Sequence, residues 1–248
     1  MKPLLKAELL KLRTTRTFVT LVSVTLVLSL IVVGLTAILA DDFTEASVRE
    51  LFTFDFSALF ILLLGVTGMA GEWRHRTITS SVLAAPDRTR LLTAKMIAYA
   101  VAGTLLSLIV TIAFMVEGTL ILSLRDETTL GVADLADVLW RNLLIAALLG
   151  AFGVCVGGIV RNQIVAIVGL LVLSFVLEPT LLAVVSEVGR FGPTTGAPSG
   201  IIGISPIGDG GDPREGILDT LPALAVMIGW VALGFAVTAT LLRRRDLV

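Results

Sequence analysis

The sequence predicts an all-α, polytopic membrane protein with six transmembrane helices, an N-terminal interfacial helix and a re-entrant or surface segment between spans five and six. The chain contains six long apolar runs, its hydrophobic fraction is 56%, and its mean hydropathy is +0.97. A span needs about 20 apolar residues and must satisfy its own backbone hydrogen bonds, so each run predicts a helix. These values exclude an ordinary soluble domain.

Residues 1–17 are predicted to form an amphipathic helix on the membrane surface. Its apolar residues share one face of a helical wheel: Leu4, Leu5, Leu9 and Leu12. This pattern is typical of an interfacial helix on anionic lipid. Glu8 falls inside the apolar arc and therefore needs a partner. Lys11, three residues along, is one candidate, and a basic residue elsewhere, either in an inner loop or on a partner protein, is an equal alternative.

The six predicted spans cover residues 18–39, 51–70, 92–123, 143–160, 164–185 and 221–242. The third run is longer than a bilayer requires, so we expect it to tilt or to project into water. Pro179 should kink or end the fifth span, because proline lacks a backbone donor and clashes with the preceding turn. The segments between spans leave little room for a soluble domain, and we predict one transmembrane domain over residues 1–248.

The distribution of basic residues predicts the orientation. Residues 1–17 and 71–95, together with Arg161 and Arg243–Arg245, hold fourteen of the nineteen Lys and Arg residues. The positive-inside rule therefore places both termini and the loop 71–91 in the cytoplasm. Most acidic residues fall on the other side, which includes the extracytoplasmic loop 186–220. That loop is rich in Gly and Pro, which favours turns, and its apolar residues near Ile201 suit a return to the bilayer surface.

The sequence lacks the motifs of several kinds of catalytic or cofactor site. Neither G-x-x-x-x-G-K-[ST] nor G-x-G-x-x-G occurs, so no nucleotide site is predicted in this chain. His75 and Cys155 are the only residues of their types, which leaves too few ligands for a zinc site. No serine-nucleophile motif is present either. We expect a chain without catalytic residues, without its own metal or cofactor, and without a nucleic-acid partner.

Two glycine runs predict close helix packing. Gly65, Gly68 and Gly71 recur every three residues at the end of the second span, and the fourth span contains a G-x-x-x-G pattern between Gly153 and Gly157. Small residues let helix backbones approach each other where association depends on van der Waals contact. The pattern fits either packing within one chain or a seam between subunits.

The inner connection carries the most specific pattern, GEWRHRTITSSVLAAPDRTRLLTAK. It resembles the first cytoplasmic loop of the type 2 ATP-binding-cassette (ABC) export permeases. The residues that match are Gly71, Glu72, Trp73, Arg74, Thr77, Ala85, Pro86, Arg88, Ala94 and Lys95. Arg76 departs from the glycine frequent before the threonine. The opening AELLKLRTTRTF, residues 7–18, is also similar to the start of such permeases.

This resemblance implies a permease subunit of an exporter in a bacterial plasma membrane. Its partners would be separate ATPase subunits that bind ATP and Mg²⁺, a second copy or a homologous permease, and membrane lipid. A short helix at residues 77–84 would dock on the ATPase, and the coupling residues would be Glu72, Trp73, Arg74, Thr77, Ser80, Ser81, Pro86, Arg88 and Lys95. The interfacial helix would contribute Glu8 and Lys11. The alternatives are a solvated basic loop, a sensor or immunity subunit on the same scaffold, or an intramembrane enzyme.

Three acidic residues lie within the predicted spans: Asp55, Glu117 and Glu178. A charge near mid-bilayer costs about 2.5–3.5 kcal/mol, so such residues face protein or water. They are candidates for lining an acidic exit vestibule for a cationic or amphipathic substrate, although acids near helix ends also reach the interface. The absence of basic residues at mid-membrane disfavours an anionic substrate.

Overall fold

The computed structural model describes residues 2–41, 43–53, 56–75, 77, 79, 87–206 and 216–244. The predicted site residues Asp55, Ser80, Ser81 and Pro86 lie outside this part, as does most of the predicted docking helix at residues 77–84. The described helices are α1 (Lys2–Thr14), α2 (Arg16–Leu39), α3 (Glu45–Thr53), α4 (Ser57–Arg74), α5 (Arg88–Leu124), α6 (Val132–Ile159), α7 (Gln163–Val172), α8 (Glu178–Val184), α9 (Ser186–Gly189), α10 (Gly196–Ile202) and α11 (Thr220–Arg244), with a π-helical turn at Leu173–Leu177 between α7 and α8.

Six candidate spans confirm the predicted all-α membrane fold. By length and composition they are Phe18–Leu39, Glu45–Arg74, Arg88–Leu124, Val132–Ile159, Gln163–Val184 and Thr220–Arg244. The third is 37 residues long, or about 55 Å at the rise of an α-helix, and so exceeds the hydrocarbon thickness as predicted. The end of the bundle that carries α1 is here called the basic end, and the opposite end the acidic end.

The fourth span begins earlier than predicted. Its helix starts at Val132 rather than at residue 143, and this shortens the connection that precedes it. The added turns contain Asp134 and Asp137, which hydropathy alone assigns to a loop. Both carboxylates pair with Arg49 of α3, with Arg49 Nη1 lying 3.5 Å from Asp134 Oδ1. Ion pairing with α3 therefore compensates the charges of Asp134 and Asp137, so both residues can lie within the α6 helix.

Gly65 of the first predicted glycine run packs against the glycines of α6, whereas a Cβ atom at Gly68 would collide with Tyr99 of α5 and one at Gly71 would meet no atom within 4 Å. A Cβ atom added at Gly65 in α4 would lie 2.6 Å from the carbonyl oxygen of Gly150 in α6. One added at Gly157 would lie 2.7 Å from the carbonyl oxygen of Val66. A side chain at either position would collide with the backbone of the facing helix, so both positions require glycine. Gly65 and Gly157 thus serve packing within one chain, and α6 is the most enclosed of the six spans.

Pro179 lies two residues after the last residue of the π-helical turn and does not end the fifth span. In a regular α-helix its ring would clash with the carbonyl of Phe175, four residues earlier. The wider π turn at Leu173–Leu177 changes the spacing there, and the helix continues through α8 to Val184. Irregular backbone at this point thereby accommodates the proline.

The segment between spans five and six folds back onto the bundle. Helix α10 lies within it and is almost fully buried, including Ile201. Arg141 of α6 donates hydrogen bonds to the Ile201 carbonyl at 2.6 Å and to Thr220 Oγ1 at 3.0 Å. The apolar residues of this loop therefore contribute to the protein core at the acidic end.

Candidate functional site

Four charged side chains from three helices meet at the basic end and form what we call the charge cluster: Glu8 and Lys11 of α1, Glu72 of α4 and Lys95 of α5. Lys95 Nζ lies 2.7 Å from Glu8 Oε2 and 2.7 Å from Glu72 Oε1. Lys11 Nζ lies 2.9 Å from Glu8 Oε1 and 3.0 Å from Glu72 Oε1. Each cation thus bridges both anions, and the four formal charges cancel.

Three members of the charge cluster are buried. Lys95 is 1% exposed, Glu8 is 4% exposed and Glu72 is 8% exposed. Burying an ionised group without a partner is strongly unfavourable, so each of these residues depends on the others. Lys11 differs, because 52% of its side chain is exposed. The cluster therefore consists of three buried side chains and one half-exposed lysine.

Burial and the neighbouring charges shift the pKa values of Glu8 and Lys11. Burial raises the pKa of the Glu8 carboxyl, but attraction and hydrogen bonding from Lys95 and Lys11 outweigh burial, so the pKa falls below its ordinary value of 4.5. Burial lowers the pKa of the Lys11 ammonium, whereas Glu72 and Glu8 raise it, and the net pKa lies above 10.5. Both groups are therefore charged at neutral pH.

Local sequence positions each member of the charge cluster. Glu8 and Lys11 are three residues apart and so lie on one face of α1. Glu72 is in the last turn of α4, and its carbonyl accepts a hydrogen bond from the Thr77 N–H at 2.9 Å. Asp87 caps the start of α5 by accepting hydrogen bonds from the N–H groups of Thr89 and Arg90, and Lys95 lies on the buried face of that helix.

Other residues of the predicted coupling set join separate elements at the basic end. The Arg161 guanidinium, between α6 and α7, lies 5.0 Å from the centre of the Trp73 ring. Arg74 is exposed and lies 3.5 Å from Gln163 Oε1. Arg88, at the start of α5, donates a hydrogen bond to the Leu242 carbonyl of α11. The two flanks of the inner connection therefore contact α1, α7 and α11.

The predicted substrate-path acids contact different elements. Glu117 of α5 is half-buried beside α2, where a Cβ atom on Gly34 would lie 3.1 Å from its Oε1. Glu178 is 2% exposed and accepts hydrogen bonds from the Thr194 N–H at 3.0 Å and the Thr195 N–H at 2.6 Å. It thereby holds the segment that leads into α10. Lining of a substrate path by these acids stays a prediction.

Comparison with known proteins identifies the family. The family described as "ABC-2 family transporter protein" matches residues 4–177. The chain belongs to the ABC-2 transporter family. The resemblance drawn from the inner connection is therefore confirmed. A search of curated proteins finds no match to this chain.

The match to the ABC-2 family covers all four members of the charge cluster and the first five spans as far as residue 177. This ABC-2 family protein is therefore a membrane-embedded member of a transporter family. Among the residues that the structure describes, no group of three or more His, Cys, Asp or Glu side chains is placed to share a metal ion.

Sequence reasoning found the members of the charge cluster but not their arrangement. Glu8 was expected to pair either with Lys11 or with a more distant basic residue, and the structure has both pairs at once. Lys95 was named through the family pattern, and it is one of the basic residues of the inner connection, where a distant partner of Glu8 was one of the expected alternatives. The sequence feature that pointed to such a pair was the position of Glu8, because an acid inside an apolar arc requires a cation. The contact of Glu178 with residues 194–196 carried no comparable signal in the sequence.

Proposed function

We propose that the chain is the membrane-spanning permease subunit of an ABC exporter in a bacterial plasma membrane. It would move a hydrophobic or amphipathic substrate and be powered by separate ATPase subunits that bind ATP and Mg²⁺. Family membership supports the permease assignment. The observation that carries the mechanism is the charge cluster, because Glu72 and Lys95 lie at the two ends of the inner connection that would dock the ATPase.

The charge cluster makes the flanks of the inner connection and α1 behave as one mechanical unit. Pulling any one helix away would leave a buried charge without its partner, which is strongly unfavourable. Only Thr15 separates α1 from α2. A displacement of the connection by an ATPase would therefore reach the first span through α1, as well as the second and third spans directly.

Assembly follows from the same proposal. Six spans would form half of the path, so we propose two copies, or one copy beside a homologue, with two ATPase subunits. Apolar residues on the outer surfaces of α2 and α7, such as Ile31 and Val168, are available for lipid or for the second subunit. An isologous pair would bury the same surface on each copy. Mass measurement of a lone monomer with an active ATPase would contradict this assembly.

The coupling role is tested by separating ATP hydrolysis from transport. We expect Glu72→Ala and Pro86→Leu to leave membrane insertion intact, because neither change removes an apolar span. Export of a panel of amphipathic dyes should fall, while ATP hydrolysis by the complex persists, because coupling links two sites without being either activity. Glu117→Gln serves as the comparison and should alter which dyes move. Normal export by both loop variants, with normal ATPase binding, would refute the coupling role.

A further inference from the structure

A cavity of about 660 Å³ opens at the basic end between α1, α4 and α5. Its lining mixes apolar and polar residues. The apolar residues include Leu12, Phe18 and Leu64, and the polar residues include Lys11, His75 and Gln163. A volume of this size is typical of sites for small molecules, which span about 300–1,000 Å³. The cavity can therefore hold part of an amphipathic molecule.

The cavity offers a ligand hydrogen-bond donors rather than a net charge. Glu8, Glu72, Lys11 and Lys95 all line it, and their two negative and two positive charges cancel. Lys11 is half-exposed, and two of the three hydrogen bonds that an ammonium can donate go to carboxylates within the described part of the chain. The third can reach a ligand. The exposed His75 adds a second nitrogen donor to the cavity lining.

We propose that this cavity binds one glycerophospholipid from the leaflet at the basic end. The phosphate would accept a hydrogen bond from Lys11, and the acyl chains would leave past Phe18 and Leu64 into the bilayer. The position fits a membrane lipid, because α1 is an amphipathic helix of the kind that lies at headgroup level. The apolar residues of the lining explain why a lipid, rather than a free anion, is the ligand. The proposal does not require an ATPase or transport.

Gly71 provides a direct way to block the cavity. A Cβ atom added at Gly71 meets no atom within 4 Å, although additions at Gly65 and Gly68 on the same helix would collide with neighbours. Gly71 lines the cavity, so a larger side chain there would fill it without disturbing helix packing. Gly169, on the exposed surface of α7, also meets no atom within 4 Å. Gly169→Leu is therefore the matched control for Gly71→Leu.

The first test counts retained lipid by native mass spectrometry after purification from membranes containing phosphatidylglycerol and phosphatidylethanolamine. The parent and Gly169→Leu should each retain one phospholipid per chain, and Gly71→Leu should retain none. Lys11→Gln should weaken retention about tenfold, as expected for loss of one charge-assisted hydrogen bond. Equal retention by Gly71→Leu and the parent, or no retained lipid on the parent, would overturn the proposal.

A second test uses the unmodified chain and so does not depend on how a variant folds. Phosphatidylglycerol with a photoreactive group on its glycerol should label peptides from the cavity wall, in residues 7–12 or 67–72. Excess inorganic phosphate should not prevent this labelling, because phosphate lacks the apolar contacts. Labelling confined to the lipid-facing surfaces of α2 and α7 would overturn the lipid site. Complete protection by inorganic phosphate would overturn the assignment of a lipid as its ligand.

Discussion

At the scale of single residues, the charge cluster depends most on Lys95. Its ammonium is 1% exposed and contacts both carboxylates at 2.7 Å, whereas the Lys11 side chain is half-exposed and water partly solvates it. Removing one partner from a buried ion pair leaves an uncompensated charge. The two lysines bind the same pair of acids but should therefore differ in their contribution to stability.

We expect Lys95→Met to destabilise the protein by about 3–5 kcal/mol, the range for breaking a buried ion pair. Lys11→Met should cost roughly 1 kcal/mol or less, because exposed pairs are screened by solvent. The measurement is chemical denaturation in a mild detergent, with helix content followed by circular dichroism. An equal or reversed ranking of the two variants would show that the cluster does not depend on its buried lysine.

The attachment of α1 should also depend on pH. The pKa of Glu8 is lowered by folding, so its contribution is complete above its ordinary value of 4.5 and is lost as the pH falls through the lower folded value. The pKa of Lys11 is raised, so its contribution is complete below 10.5 and is lost as the pH rises through the folded value. The protection of α1 amides from hydrogen exchange, corrected for the intrinsic exchange rates, should therefore be constant between pH 4.5 and pH 10.5. Strong variation of α1 protection near pH 7 would contradict this.

At the scale of helices, the glycine contacts fix how α4 and α6 approach each other. A Cβ atom at Gly153 would collide with the Leu62 carbonyl, whereas Gly169 faces open space. We expect Gly153→Ala to destabilise the protein by about 1–3 kcal/mol through overpacking, and Gly169→Ala to have little effect. Thermal stability in detergent compares the two. A tolerated Gly153→Ala would show that the helices are not packed as closely as described.

The spans were predictable because bilayer thickness imposes length and composition on each helix. The start of α6 was not, because Asp134 and Asp137 look like loop residues until Arg49 is placed beside them. The same limit applies to the site. Glu8 indicated that a cation must be near, but the choice of Lys95, 87 residues away, depends on how α1 and α5 pack. The sequence therefore predicts what kind of partner a residue needs, whereas identifying a partner that is distant in sequence requires the folded structure.

At the scale of the whole molecule, the orientation in the membrane is tested by cysteine labelling in a Cys155→Ala background. Cysteines at Ala46 and Thr129, both exposed at the acidic end, should react with a membrane-impermeant thiol reagent in intact cells. A cysteine at Thr14, exposed at the basic end, should react only after the membrane is opened. This follows from the excess of Lys and Arg at the basic end. Labelling at Thr14 in sealed cells would reverse the orientation and remove the ATPase from the proposed docking side.

The central claim is that an ABC ATPase docks on the inner connection beside the charge cluster. Site-specific photo-cross-linking tests it most directly, with a photoreactive amino acid at Thr79, which is exposed, and a matched one at Thr129 at the opposite end. In native membranes, the account predicts that Thr79 cross-links to an ABC ATPase, identified by mass spectrometry, and that Thr129 does not. Co-purification of the ATPase without any Thr79 cross-link, or equal cross-linking from Thr129, would contradict the account.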